Sequence, residues 1–190
     1  MAASSSSSLF PKLIQTSTQR FFGIVGHGPF DTCGPLFDKL SEIVKKDLSE
    51  LDEKLQRAML VLCHVPTTDK ADLEWAVAVL IPPLDENKET LQVPTGLKEI
   101  LVPGRRCATT MYVGPYDGLP KAWGQLCMEW VPSQNLMPMK GSYDNVHYEV
   151  YVKWEGDSPE TQLYCPVQEK PEGDNSGTMS EETAAQCSNK

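Results

Sequence analysis

The chain is predicted to be an α+β protein in which one β-α-β-β unit is used twice, with two helices on a curved antiparallel sheet and a central cleft. Three observations predict this. Residues 12–44 and 98–130 are two copies of one segment at a constant spacing of 86 positions: Lys12 meets Lys98, Ile14 meets Ile100, Arg20 meets Arg106, Phe37 meets Trp123 and Leu40 meets Leu126. Gly28-Pro29-Phe30-Asp31 likewise meets Gly114-Pro115-Tyr116-Asp117. Each copy holds one run of helical periodicity, and each is followed by two strand-like runs joined by polar turns. Two such copies are too long and too few for a solenoid, whereas a doubled unit shares a core and leaves a cleft at its axis.

Each copy opens with a short lead-in strand, Pro11 to Thr16 and Leu97 to Val102, then a β-prone run, Gln19 to Val25 and Arg106 to Tyr112. The Gly-Pro-aromatic-Asp string stops that strand. Its Asp is expected to cap the following helix through a side-chain oxygen, and Pro35 and Pro120 suit a first helical turn, where a missing N–H costs nothing. Leu36, Phe37, Leu40, Ile43 and Val44 fall on one helical face; Leu119, Trp123, Leu126, Cys127 and Trp130 fall on the other helix's. Leu48, Leu51 and Leu55 are spaced to extend the first helix, and a loop from Val131 to Asn145, with Pro132, Pro138 and Gly141, follows the second as a potential lid. The hairpins are Ala58–Val65 with Leu73–Ile81, and His147–Trp154 with Thr161–Val167. The expected organisation is a disordered 1–9, a single domain over 10–168 (halves 10–82 and 97–168, linker 83–96) and a disordered acidic tail over 169–190.

A net charge of −9 without a basic stripe argues against a nucleic-acid partner, since binding phosphates needs clustered Lys and Arg. No apolar run reaches the roughly 20 residues of a membrane helix. Six cysteines without a CxxC pair, some inside apolar runs such as Leu60-Val61-Leu62-Cys63, suit reduced thiols and a cytoplasmic protein. The Ser-rich start resembles a transit segment, but the repeat begins at about Lys12 and leaves little room for one. His27, His64 and His147 have no partners at ligand spacing, so neither a metal nor a cofactor is expected. No Ser-elbow, phosphate loop or Cys–His spacing marks a nucleophile.

Tyr112-Val113-Gly114-Pro115-Tyr116-Asp117 with Trp123 and Leu126, then Tyr148-Glu149-Val150-Tyr151-Val152, Asp157-Ser158-Pro159 and Leu163-Tyr164-Cys165-Pro166-Val167, resemble the GyrI-like small-molecule-binding domain. That family includes the effector-binding domains of bacterial multidrug-responsive transcription regulators. The resemblance covers about residues 10–168 and implies the doubled fold, a ligand cleft on its pseudo-two-fold axis and a pocket glutamate at Glu149. With no helix-turn-helix pattern outside that span, the chain resembles the family's stand-alone members.

Glu149 is therefore the leading site residue. If the hairpins are aligned on their last strands, with Trp75 on Tyr164, Leu60 stands where Glu149 stands, an apolar-to-carboxylate asymmetry. Strand alternation groups His147, Glu149 and Tyr151 on one face. A carboxylate among aromatic rings holds a lipophilic cation by charge pairing and cation–π attraction. The expected ligand-binding set is Glu149, Trp75, Tyr112, Tyr116, Tyr151, Tyr164, Trp123 and His147, although the spacing of Trp123 also suits core packing. Phe30 and Tyr116 are repeat partners, and which of them lines the cleft is left open. Glu74 is a second carboxylate candidate. Tyr112 stands where the first copy has Gly26, an asymmetry that favours a role in the second half.

Two readings follow. In one, the protein binds a lipophilic, aromatic or cationic small molecule with Glu149 as charge partner. In the other, as the resemblance implies for some stand-alone members, it is a hydrolase that detoxifies cyclopropane-bearing electrophiles. Glu149 would then activate water and Tyr112 would be the second catalytic group, its hydroxyl serving the leaving oxygen. The small-molecule ligand is the one partner expected; monomer is the simplest oligomeric state.

Overall fold

The computed structural model describes residues 9–51, 55–64, 73–82, 91–154, 156 and 158–171. Residues 1–8, 52–54, the first hairpin connection (65–72), the first part of the interrepeat linker (83–90), positions 155 and 157 of the second hairpin turn and the tail from 172 onward lie outside them. The fold is mixed α+β, with nine strands and two helices among the described residues and antiparallel ladders between strands. No helix of the described residues is long and apolar enough to cross a membrane.

The chain forms two compact units. One takes Gln15–Arg105 and Lys140–Val150. In it, strands β2 (Gln19–His27), β3 (Gln56–His64), β4 (Leu73–Ile81) and β5 (Lys98–Val102) lie in the order β3-β4-β2-β5, with α1 (Gly34–Asp47) packed on them. The other takes residues up to Ile14, Arg106–Met139 and residues from Tyr151 onward. There β1 (Lys12–Gln15), β6 (Arg106–Val113), β9 (Glu160–Glu169) and the end of β8 (His147–Lys153) follow the order β1-β6-β9-β8, and β7 (Leu136–Pro138) pairs with β9.

The repeat thus exchanges its lead-in strands. β5 opens the second copy yet pairs with β2 of the first, Phe21 opposite Ile100; β1 opens the first copy yet lies beside β6 of the second. Neither copy keeps its own first strand.

Apolar, β-branched and aromatic runs explain the strands. β4 has five consecutive buried residues, Trp75–Val79, because one face meets α1 and the other is also closed from water. Arg57 and Val79 are opposite each other and line, with Leu40, Ser41, Val44 and Leu55, a shallow groove beneath α1. Opposed residues of an antiparallel pair share a face. Phe22, Gly26 and Trp75 therefore lie on the α1 side, and Phe21, Ala76 and Ala78 on the other.

Four local expectations are corrected. Gly28-Pro29-Phe30-Asp31 and its copy lead into 3-10 turns, Phe30–Thr32 and Tyr116–Gly118, so the helix N-caps are Cys33 and Gly118 and neither helix has a side-chain cap. Pro35 and Pro120 do sit in the first helical turn. Second, α1 stops at Asp47 instead of running to Leu55: Leu48 leaves the helix at φ −127°, and turn bonds join Leu51 to Leu48 and Leu55 to Leu51. Leu48 and Leu55 are buried all the same, so their spacing reported burial and not helix, while Lys45 and Lys46 in the last turn suit a terminus.

Third, the second helix begins as α2 (Leu119–Gly124), passes into π-helical turns over Gln125–Trp130 and ends with a short turn, α3 (Val131–Ser133). The N–H of Val131 bonds to the carbonyl of Leu126, five residues back. That wider turn rotates the apolar stripe by one residue: Val131 is buried where 3.6-residue spacing expects Trp130, which is half-buried. Fourth, the expected loop Val131–Asn145 contains that helix end and β7, so it is not a free lid across its length.

Candidate functional site

Glu149 is buried, 6% exposed, in a β8 stretch whose neighbours Tyr148, Val150 and Tyr151 are buried too. Tyr148 points toward Phe21, ring centroids 5.7 Å apart and edge-on. Alternation along the strand sends Glu149 the opposite way, together with His147 and Tyr151. A carboxylate shielded from water needs positive or hydrogen-bonding groups around it, and charge interactions with it are stronger there than in bulk water.

Beyond Glu149, the strand leads into an aromatic cluster. Tyr151 meets Tyr116 at 5.6 Å and 87°, and Trp154 at 4.9 Å and 75°; Tyr116 and Trp154 are 5.8 Å apart and tilted. The Tyr116 hydroxyl donates to the Trp154 carbonyl at 2.8 Å, which ties the Gly-Pro-Tyr-Asp turn to the end of β8. The two contacts to Tyr151 are edge-to-face, the geometry that the ring quadrupoles favour. Trp154 was not singled out in the sequence; its signal is its place three residues after Tyr151, at the strand end before a turn.

The repeat partner Phe30 has a different setting, tilted against the Trp75 ring at 6.0 Å. Trp75 itself is fully buried, on the α1 side of the sheet, and its indole N–H donates to the Gly28 carbonyl at 2.8 Å. Tyr112 is 7% exposed and its hydroxyl donates to the Pro115 carbonyl at 2.8 Å, so it closes its own turn. Burial, then the nearby Asp117 carboxylate, push the Tyr112 phenol above the usual tyrosine range.

Tyr164 lies on the sheet face opposite Tyr112. It stands across from Thr109, whereas Tyr112 stands across from Thr161 and on the side where Cys165 meets Cys127 of the second helix. Burial, and secondarily Cys107, raise its pKa. Thr109 donates to the Leu163 carbonyl at 2.7 Å and accepts from the Gln162 amide, so polar groups accompany Tyr164 on that face. Trp123 and His147 are half-buried. Glu74 accepts a hydrogen bond from the exposed Tyr143 hydroxyl.

The strand registers correct the alignment that set Leu60 against Glu149. Gly23 faces Ala78, and its repeat partner Thr109 faces Tyr164, so Tyr164 corresponds to Ala78 and not to Trp75. Gly26 faces Trp75, and its partner Tyr112 faces Thr161. The 86-position spacing therefore extends through the last strand of each unit, which removes the basis for pairing Leu60 with Glu149.

The model of the GyrI-like small molecule binding domain matches residues 10–168. Among solved structures, the EcmrR C-terminal domain is similar at TM-score 0.61 and 18% identity, with 85% of this chain and 99% of that one covered. The chain spans 58% of the longer EcmrR chain solved in its DNA complex. A hydrolase from Listeria innocua is similar at TM-score 0.56 and 15% identity, covering 83% and 91%. SAV2435 bound to tetraphenylphosphonium is similar at TM-score 0.51 and 14% identity, covering 84% and 94%. At these identities the likeness is one of fold. No curated protein matches the chain.

Proposed function

Because the chain belongs to the GyrI-like small molecule binding domain family, we propose that its ligand is a lipophilic aromatic cation, with the Glu149 carboxylate as charge partner and the rings of Tyr151, Tyr116 and Trp154 as the gripping surface. The observation that carries this reading is the burial of Glu149 two residues before Tyr151 on one strand, where successive same-side groups are an anion and an aromatic ring. An ion pair between a bound cation and the buried carboxylate is stronger in low dielectric than in water, and the rings add cation–π attraction of about 0.5–2 kcal/mol. His147, Tyr164 and Trp123 are the remaining members of the proposed ligand set. Trp75 and Tyr112 each hold a Gly-Pro turn, through bonds to the Gly28 and Pro115 carbonyls.

Tetraphenylphosphonium, the ligand seen in SAV2435, is the first probe. Calorimetric titration of wild type and Glu149→Gln should show binding that weakens at least about tenfold, or 1.4 kcal/mol, in the variant. Equal affinities would sink the proposal. A neutral isostere, tetraphenylmethane-like in shape, should bind both proteins alike.

A second reading is hydrolysis of a cyclopropane-bearing electrophile, favoured by the fold shared with the Listeria innocua hydrolase. Glu149 then takes a proton from water as the oxygen attacks the ring carbon, the strained carbon–carbon bond opens, and the displaced electron pair is protonated. The Tyr112 hydroxyl, already donating to Pro115, would have to leave that bond to assist. Recovered substrate carrying the mass of one added water, with wild type and not with Glu149→Gln, would favour this reading over simple capture.

A further inference from the structure

Cys127 and Cys165 lie 38 positions apart in sequence, yet their sulfurs are 3.4 Å from each other. Cys127 belongs to the π-helical stretch Gln125–Trp130 and Cys165 to β9, so the contact joins the second helix to the sheet. Neither is in a disulfide, and they are 3% and 0% exposed. The Cys127 S–H donates to the Cys165 sulfur, and the Cys165 S–H donates to the Pro166 carbonyl at 3.7 Å. The two sulfurs are thus in direct contact, and nothing in the ligand-binding reading uses the pair.

We propose that Cys127 and Cys165 are a redox pair, converted by a peroxide-class oxidant into a disulfide that pins the second helix to β9. Closing from the observed separation to the ~2.05 Å of a disulfide needs the sulfurs to approach by about 1.4 Å. In the first step one thiol, after losing its proton, attacks a peroxide oxygen; the O–O bond breaks, leaving a sulfenic acid and water. The second thiol then loses its proton and attacks that sulfur, the S–S bond forms, and the S–O bond breaks to release a second water. Two thiols give up two electrons and two protons, and one hydrogen peroxide becomes two waters. Because both sulfurs are buried, oxidation proceeds through local opening and is slower than that of the half-buried Cys33.

The test is to treat the reduced full-length protein with hydrogen peroxide, block remaining thiols with iodoacetamide under denaturing conditions and map the digest. A dithiothreitol-reversible peptide pair joined through Cys127 and Cys165 is expected, with the melting temperature raised by several degrees over the reduced protein, because the cross-link closes a long loop of the unfolded chain. In Cys127→Ala the joined peptide and the rise in melting temperature should both vanish. Both thiols remaining alkylatable while Cys33 oxidises, or a cross-link that joins other cysteines first, would overturn the proposal, and the wild-type map decides this even if the variant folds poorly.

Discussion

The indole of Trp75 occupies the space that a side chain on Gly26 would need: a Cβ built there stands 2.5 Å from the ring. These two residues face each other across β2 and β4, and their repeat partners, Tyr112 and Thr161, face each other across β6 and β9. Large and small have changed strands between the copies. In the first, Trp75 reaches over Gly26 and bonds to Gly28; in the second, Tyr112 covers the same place and bonds to Pro115. Gly26→Ala should therefore destabilise by about 1–3 kcal/mol, the usual cost of overpacking a core, as read by urea unfolding. Trp75→Thr should cost about 3–5 kcal/mol through its cavity. Gly26→Tyr combined with Trp75→Thr, which copies the second unit, should be less destabilising than the sum of the two single changes by at least about 1 kcal/mol. Strict additivity would show that the two copies do not exchange the same volume.

A second close approach tests the Tyr112 side. A Cβ on Gly118 would collide with the Tyr112 hydroxyl, whose bond to Pro115 holds the ring in place. Tyr112→Phe should lose about 1 kcal/mol with that bond. Gly118→Ala should cost more in wild type than in the Tyr112→Phe background, where the colliding oxygen is gone. Equal costs in both backgrounds, measured by chemical denaturation, would show that the turn relaxes away from the tyrosine.

Much of this architecture was legible in the chain because it depends on patterns that burial imposes locally. The 86-position repeat located both helices, and strand-like runs joined by polar turns located both hairpins. What stayed hidden depends on partners distant in sequence. Nothing in residues 12–15 or 98–102 says that each lead-in strand leaves its own copy, since a β-prone run carries no record of which edge it pairs with. The π turns were invisible for a related reason: Trp130 and Val131 are both apolar, and one extra residue per turn chooses between them. The asymmetry of Gly26 and Tyr112 was visible as a difference between copies and read as function, whereas Trp75, 49 positions from Gly26, supplies its packing reason. Trp154 escaped notice because its partners Tyr116 and Tyr151 meet it only after the Gly-Pro turn folds back on β8.

The repeated arginines make a graded comparison. Arg20 bonds through Nε to Glu99 of β5 at 2.5 Å, donates to the Leu91 carbonyl at 3.0 Å and lies over the Phe22 ring at 4.7 Å. Its repeat partner Arg106 pairs with Glu169 at 2.5 Å, at a more exposed site. Exposed ion pairs contribute about 0–1 kcal/mol and are screened by salt. Arg106→Ala should thus stay within about 0.5 kcal/mol of wild type, whereas Arg20→Ala should cost about 1 kcal/mol or more because it also frees the edge strand β5 and a ring face. Unfolding curves at low and high salt check this: the Arg20 effect should persist in high salt, and an Arg20→Ala loss that disappears there would reduce its role to the ion pair.

Alkaline stability gives the last prediction. Tyr112 and Tyr164 both ionise above the ordinary tyrosine range in the folded protein, chiefly because burial disfavours the phenolate. In the unfolded chain each ionises near pH 10. Between that pH and their higher folded values the native state holds more protons than the unfolded state, so the unfolding free energy falls as pH rises. Below about pH 10 the contribution is fully present, and it is lost as pH climbs through the folded values. Urea midpoints should therefore be flat from about pH 8 to pH 9 as far as these two groups are concerned, then decline above about pH 10. Tyr112→Phe with Tyr164→Phe should flatten that decline even though it lowers stability at neutral pH through the lost Pro115 bond. A decline just as steep in the double variant would assign the alkaline loss to other groups.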